Sequence, residues 1–124
     1  MIRAHFERCI KRIESFRARL KTSHVSGKKY PPMAIVAANR VRTVKGTMIT
    51  EPKPERFAEE GYNSLVFDWG DGVILWESAV GIPGGWGKEV TKVVESKFGH
   101  MTLLADHESI DEALKACGTE LNKP

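Results

Sequence analysis

The chain has 124 residues, of which 41% are hydrophobic and 28% charged, and its formal net charge is +3. That length holds one modest core, and a composition near the globular average excludes a low-complexity or fibrous chain. No apolar run reaches the length of a membrane span, and Arg3, His5, Glu7 and Arg8 put polar and charged groups where a secretory signal needs an apolar stretch, so the literal expectation is a cytoplasmic protein.

Residues 2–20 space Ile2, Phe6, Cys9, Ile10, Ile13, Phe16 and Leu20 three and four apart, which puts them on one stripe of a helix. Arg3, Arg8, Lys11, Arg12, Arg17 and Arg19 occupy the remaining surface. A basic amphipathic helix is therefore expected over 2–21, with packing of the stripe against a sheet as the default and a membrane surface or RNA as rival partners. Residues 1–30 hold nine Lys or Arg against two Glu, whereas the rest of the chain holds ten against fourteen acids. Such a basic segment either attracts acidic partners or docks on the more acidic body.

Tyr30-Pro31-Pro32 sets an extended entry to Met33–Ala38, a continuous apolar run of the kind found in a central strand covered on both faces. Residues 41–50 alternate Val41, Thr43 and Met48 with Arg42 and Lys45 around Gly46, the pattern of a ribbon or edge strand with one wet face. Residues 51–60 read as a surface loop turning into a short helix from Pro54 to Glu60. Leu65, Val66 and Phe67 suit a buried strand, which ends in Gly70-Asp71-Gly72; the two glycines let the backbone turn sharply and present Asp71 from a loop. Residues 73–80 fit a helical turn or a packed loop. Residues 81–87 contain four glycines and form a loop that lacks the Lys and Ser or Thr of a phosphate-binding motif. Residues 90–95 resume as a strand, which 96–99 ends before His100. Asp106 caps a last helix from His107 to Cys117, whose Ile110, Leu114 and Cys117 share one face and which Gly118 closes. This order favours an α/β layer arrangement in a single domain or fragment over 1–124.

Asp71 follows one strand and His100 the next, which is how a parallel sheet gathers loop residues at the carboxyl ends of its strands. A carboxylate so placed holds an imidazole in its reactive tautomer and stabilises the charged form. Taken singly, Asp71 also reads as a turn or cap residue and His100 as a satisfied surface or core group. Asp68 with Asp71 supplies too few oxygens for calcium, and His5, His24 and His107 have no partner at ligand spacing, so neither a metal nor a cofactor is expected. Cys9 and Cys117 lack any Cys-x-x-Cys spacing and read as small apolar residues, with a single bridge between them as the alternative. Trp69, Trp76 and Trp86 flank the acidic loop, either as an acyl-pocket lining or as core and lid contacts.

Gly70-Asp71-Gly72-Val73, Glu77-Ser78-Ala79, Val93-Val94-Glu95-Ser96 and Gly99-His100-Met101-Thr102-Leu103-Leu104, followed by the helix capped at Asp106, together resemble a known family. The likeness is to the C-terminal portion of the lecithin:cholesterol acyltransferase-like lipases and acyltransferases, which are α/β-hydrolases. Tyr30-Pro31-Pro32-Met33-Ala34-Ile35-Val36 and Thr43-Val44-Lys45-Gly46 resemble that family's segment before the acidic loop, so the likeness covers 30–118. It implies a partial α/β-hydrolase sheet of about three to five short, partly parallel strands between an N-terminal and a C-terminal helix. It also implies that Asp71 orients His100 and that His100 activates a serine attacking a lipid ester, in enzymes whose relatives are secreted or lysosomal.

The nucleophile motif Gly-x-Ser-x-Gly is absent from all 124 residues, and Ser64, Ser78 and Ser96 lack the two flanking glycines. The chain is accordingly expected to be inactive as a hydrolase or O-acyltransferase until another chain supplies the serine. An incomplete sheet would also expose an apolar edge and self-associate. The alternative is a non-catalytic interaction module whose basic helix binds an acidic protein, a membrane surface or nucleic acid, with nucleic acid the least favoured of the three.

Overall fold

A run of mostly small and β-branched residues supplies part of the core, with Ala37 and Ala38 buried. Met33–Ala38 has apolar side chains on both faces, and in the computed structural model, which describes residues 2–121, it forms strand β1. Met1 and residues 122–124 of the expected 1–124 unit lie outside the described residues. The chain order is α1 (Ile2–Ser23), β1, β2 (Val41–Thr47), α2 (Pro54–Glu60), β3 (Leu65–Gly70), α3 (Trp76–Val80), a 3-10 helix at Gly84–Glu89, β4 (Val90–Ser96), a second 3-10 helix at His100–Ala105, and α4 (His107–Leu121).

The strands form two pairs. β1 lies parallel to β4, in register from Ala34 opposite Lys92 to Ala38 opposite Ser96. β2 lies antiparallel to β3, from Val41 opposite Gly70 to Thr47 opposite Leu65, with a bulge between Val44 and Gly46. A parallel pair needs a long crossover. Here the crossover holds the β2–β3 ribbon, α2, α3 and the first 3-10 helix, so the protein is mixed α/β, with a short parallel sheet between an N-terminal and a C-terminal helix.

α4 covers one face of the parallel pair. Lys92, Val94 and Ser96 alternate along β4, and this set meets the helix: Lys92 Nζ lies 2.5 Å from Glu112 Oε1, and Val94 and Ser96 are buried. Ala38, opposite Ser96, and Ala113 are small enough to let the helix approach closely, and Ala37, whose side chain lies on the other face of β1, joins them and Val94 in the buried apolar core among the described residues. Polar groups complete it. Ser96 Oγ and Ser109 Oγ each donate to Asp106 Oδ2 at 2.6 Å, Ser109 N–H donates to Asp106 Oδ1 at 3.2 Å, and Phe98 N–H donates to Ser96 Oγ at 3.1 Å. Asp106 is thus the expected cap of α4 and also ties that helix to the end of β4.

Several expectations need correction. β1 has one strand neighbour among the described residues, so it is not central here. Residues 65–69 are exposed rather than buried: among the described residues β3 pairs with the ribbon strand β2 and not with the parallel sheet that α4 covers. The stripe of α1 does not pack on a sheet: Ile2, Phe6, Ile10, Ile13 and Phe16 are exposed, and the helix's principal contact is with the first 3-10 helix. Gly118 does not close α4, which continues to Leu121. Cys9 and Cys117 are free and half-buried. No helix among the described residues is long and apolar enough to cross a membrane.

Because Ser96 is fully buried, Ser96→Ala leaves the Phe98 N–H without its acceptor and takes one donor from Asp106. It is expected to lower unfolding free energy by about 1–3 kcal/mol, read as a reduced urea midpoint at unchanged slope.

Candidate functional site

The turn after β3 is shaped by what Gly70 and Gly72 lack. A Cβ at Gly70 would overlap the Ile74 carbonyl oxygen and come within 2.7 Å of Thr43 Oγ1, and Gly72 has φ +101°, a conformation side chains disfavour. Thr43, itself buried, accepts the Gly72 N–H on Oγ1 at 2.8 Å and donates to the Val41 carbonyl at 3.1 Å, which fastens the turn to the start of β2. Asp71 folds the turn around its own carboxylate. Its N–H donates to the Ile74 carbonyl at 3.0 Å, while Oδ1 accepts the N–H groups of Val73 at 2.8 Å and Ile74 at 2.6 Å.

The other carboxylate oxygen meets the histidine. His100 Nδ1 lies 2.8 Å from Asp71 Oδ2, and the His100 N–H donates to the Asp71 carbonyl at 2.8 Å, so backbone and side chain hold the pair together. Asp71 is buried, and burial by itself would raise its pKa; the Ile74 N–H, His100 and the Val73 N–H outweigh this and hold it below the ordinary 3.8. An ionised carboxylate only accepts, so the proton between the two groups sits on Nδ1. In the neutral ring Nε2 then carries the lone pair; it has no hydrogen-bond partner among the described residues and belongs to a ring 40% exposed. Such a group accepts a proton from a hydroxyl brought against it, and the carboxylate behind it stabilises the imidazolium.

Asp71 and His100 therefore meet, as their spacing implies, but by a different route. β3 is antiparallel to β2 and is not in the sheet of β4. The ribbon starts at Val41, three residues beyond the end of β1, and Val41 bridges Asp71. This returns the turn to the carboxyl end of the parallel pair, where His100 emerges four residues after β4.

The other candidates lie elsewhere. Asp68 pairs across the ribbon with Lys45 at 2.7 Å and accepts the Trp69 N–H, and no group of three or more His, Cys, Asp or Glu able to hold a metal occurs among the described residues. Ser96 is committed to the Asp106 network, Ser64 bonds the carbonyls of Met48 and Glu60, and Ser78 is exposed on α3. His5 Nε2 lies 3.5 Å from Cys9 Sγ on α1, and His107 is exposed at the start of α4. The three tryptophans do not form one pocket: Trp69 is exposed on β3, Trp76 is half-buried at the start of α3, and Trp86 stands at the amino end of β4.

Two features escape sequence reading. His24 Nε2 contacts Glu89 Oε1 at 2.6 Å inside a cluster with Tyr30 and Trp86, an association across 65 residues with no local signal. Met101 and Leu104, in the turn that begins at His100, are almost fully exposed. A groove of about 460 Å³ lined by Tyr30, Pro31 and Lys88 lies at the opposite, amino end of the parallel strands.

Fold and site thus define a mixed α/β protein with a carboxylate–imidazole pair at the carboxyl end of its parallel strands. Over 86 residues, 69% of the chain, it is 30% identical to an uncharacterized protein of Saccharomyces cerevisiae (strain ATCC 204508 / S288c), of whose length the match spans 12%. No family model matches the chain, and neither does any solved structure.

Asp71 and Asp106 both have carboxyls held below the ordinary 3.8, the latter by the hydroxyls of Ser109 and Ser96. A carboxyl depressed by folding adds stability that is complete above its unfolded pKa and is lost as pH falls through the folded one. Urea midpoints are therefore expected to hold steady above about pH 5 and decline below about pH 4. Asp71→Asn should flatten part of that decline, and a midpoint rising on acidification would contradict the assignment.

Proposed function

We propose that the chain is the acid-and-base part of a serine ester hydrolase or O-acyltransferase acting on lipid, equivalent to the C-terminal portion of a lecithin:cholesterol acyltransferase-like α/β-hydrolase. The observation that carries this reading is the contact between His100 Nδ1 and Asp71 Oδ2, with Nε2 left open. In the proposed reaction a serine hydroxyl supplied from outside this chain sits against Nε2. As its oxygen attacks the ester carbonyl, the proton passes to Nε2, and Asp71 holds the Nδ1 proton and stabilises the imidazolium. Nε2 then gives its proton to the departing alcohol, leaving an acyl-serine. Water or an acceptor alcohol attacks that ester with His100 again as base, which frees the serine.

Three further observations support this reading. Ser64, Ser78 and Ser96 have neither the flanking glycines nor the position of a nucleophile. β1 is apolar throughout and has one strand neighbour among the described residues, so its other edge is a place for the remainder of a hydrolase sheet, or a second copy, to join. Met101 and Leu104 are exposed apolar groups on the turn that begins at His100, available to an acyl chain.

The test mixes the chain with a family hydrolase fragment that bears Gly-x-Ser-x-Gly and stops before its own acidic loop, using a short p-nitrophenyl ester. The expected result is no turnover from either part, turnover from the mixture, its loss with His100→Ala, and a fall of roughly 10²–10⁴-fold with Asp71→Asn. A null rate in the mixture, or activity surviving His100→Ala, would overturn the reading.

A further inference from the structure

The 22 residues of α1 have a repeating apolar stripe but no surface to bury it on. Ile2 is 88% exposed, Phe6 62%, Ile13 53% and Phe16 57%, while Cys9 and Leu20 are half-buried. Among the described residues the hydrogen bonds that tie the helix to the body are at its last turn: Trp86 Nε1 donates to the Leu20 carbonyl and to Ser23 Oγ, both at 3.0 Å, and the neighbouring His24 pairs with Glu89 against Tyr30. One end is clamped to the body, and the stripe is left in water over about four turns.

The charges select what would cover it. The helix carries seven Lys and Arg against Glu7 and Glu14, and Glu7 is already engaged by Arg3 at 2.9 Å. At 3.6 residues per turn Arg8, Arg12 and Arg19 fall along one border of the stripe, and Arg3, Arg17 and Lys21 along the other. Long basic side chains in such borders lay their methylenes over apolar surface while their charges reach outward. A second copy packed stripe to stripe would bring these cationic borders together, which repels. A nucleic acid would take the charges but leave two phenylalanines and three isoleucines in water. A bilayer with anionic headgroups satisfies both sets at once.

We propose that α1 is an interfacial helix that lies in the headgroup region of an anionic phospholipid bilayer, stripe inward, and holds the domain at that surface. The inference does not depend on the catalytic reading, since no residue of the Asp71–His100 pair takes part.

The experiment uses the intact chain with phosphatidylcholine–phosphatidylserine vesicles and with phosphatidylcholine alone, read by vesicle flotation. Binding to the mixed vesicles is expected, weaker by roughly tenfold or more on phosphatidylcholine and weakened by added salt. Phe6→Ser with Phe16→Ser, and separately Arg12→Glu with Arg19→Glu, should each lower it at least about tenfold. All four positions are exposed, so unchanged circular dichroism and urea midpoint in the variants would support a local effect. Equal binding to both vesicle types, binding to neither, or unaltered binding by the Phe6, Phe16 variant would overturn the proposal. So would a dimer in sedimentation that dissociates on Phe6→Ser, because it assigns the stripe to a second copy.

Discussion

The Asp71 carboxylate is the group on which the site depends. A buried charge is tolerated only when hydrogen bonds replace the water it has lost, and each of its oxygens has found them: two backbone N–H groups on Oδ1 and an imidazole on Oδ2. Those bonds also set the geometry. The Val73 and Ile74 N–H groups force the tight turn, the turn requires a bare Cα at Gly70 and positive φ at Gly72, and the Asp71 carbonyl captures the backbone of His100. One side chain thus closes the loop after β3 and fixes the segment that follows β4.

A second carboxylate does the corresponding work on the other flank of that segment. Asp106 gathers the hydroxyls of Ser96 and Ser109 and starts α4, so the residues between β4 and the last helix are closed at their ends by the Ser96–Asp106 contact and held within at His100 by Asp71. With an apolar core of Ala37, Ala38, Val94 and Ala113, hydrophobic burial alone leaves much of the orientation unspecified. The two networks supply direction where the core supplies little, and Ser96 belongs to this framework rather than to the chemistry.

Local signals were legible in the sequence because they are local. The three-and-four spacing of α1, Pro54 opening α2, the glycines around Asp71 and the cap at Asp106 each act within a few residues. What was not legible is which surface meets which. Periodicity says that the face with Phe6 and Phe16 is apolar but not that anything covers it. An apolar strand such as Leu65–Gly70 reads as buried even where its partner is a two-stranded ribbon. Gly118 signals a helix end only if the chain there turns left-handed, and α4 does not. His24 and Glu89 find each other through tertiary folding alone.

The site itself was legible in part, since two residues that follow strands were expected to meet and do, although the path runs through a ribbon and Val41 rather than through adjacent parallel strands. That path matters for what, on the proposed reading, a nucleophile from another chain would have to bring. Asp71 and His100 are aligned by their own loops, with bonds made wholly inside this chain, so no partner is needed to set the imidazole's tautomer or direction. A serine-bearing partner would meet a base already oriented, and would have to supply the hydroxyl and the donors for the oxyanion. Those donors carry much of the acceleration in ester chemistry. On the proposed reading the pair alone is a prepared proton acceptor of small catalytic power, and its value would be decided by whatever surface brought a hydroxyl to Nε2.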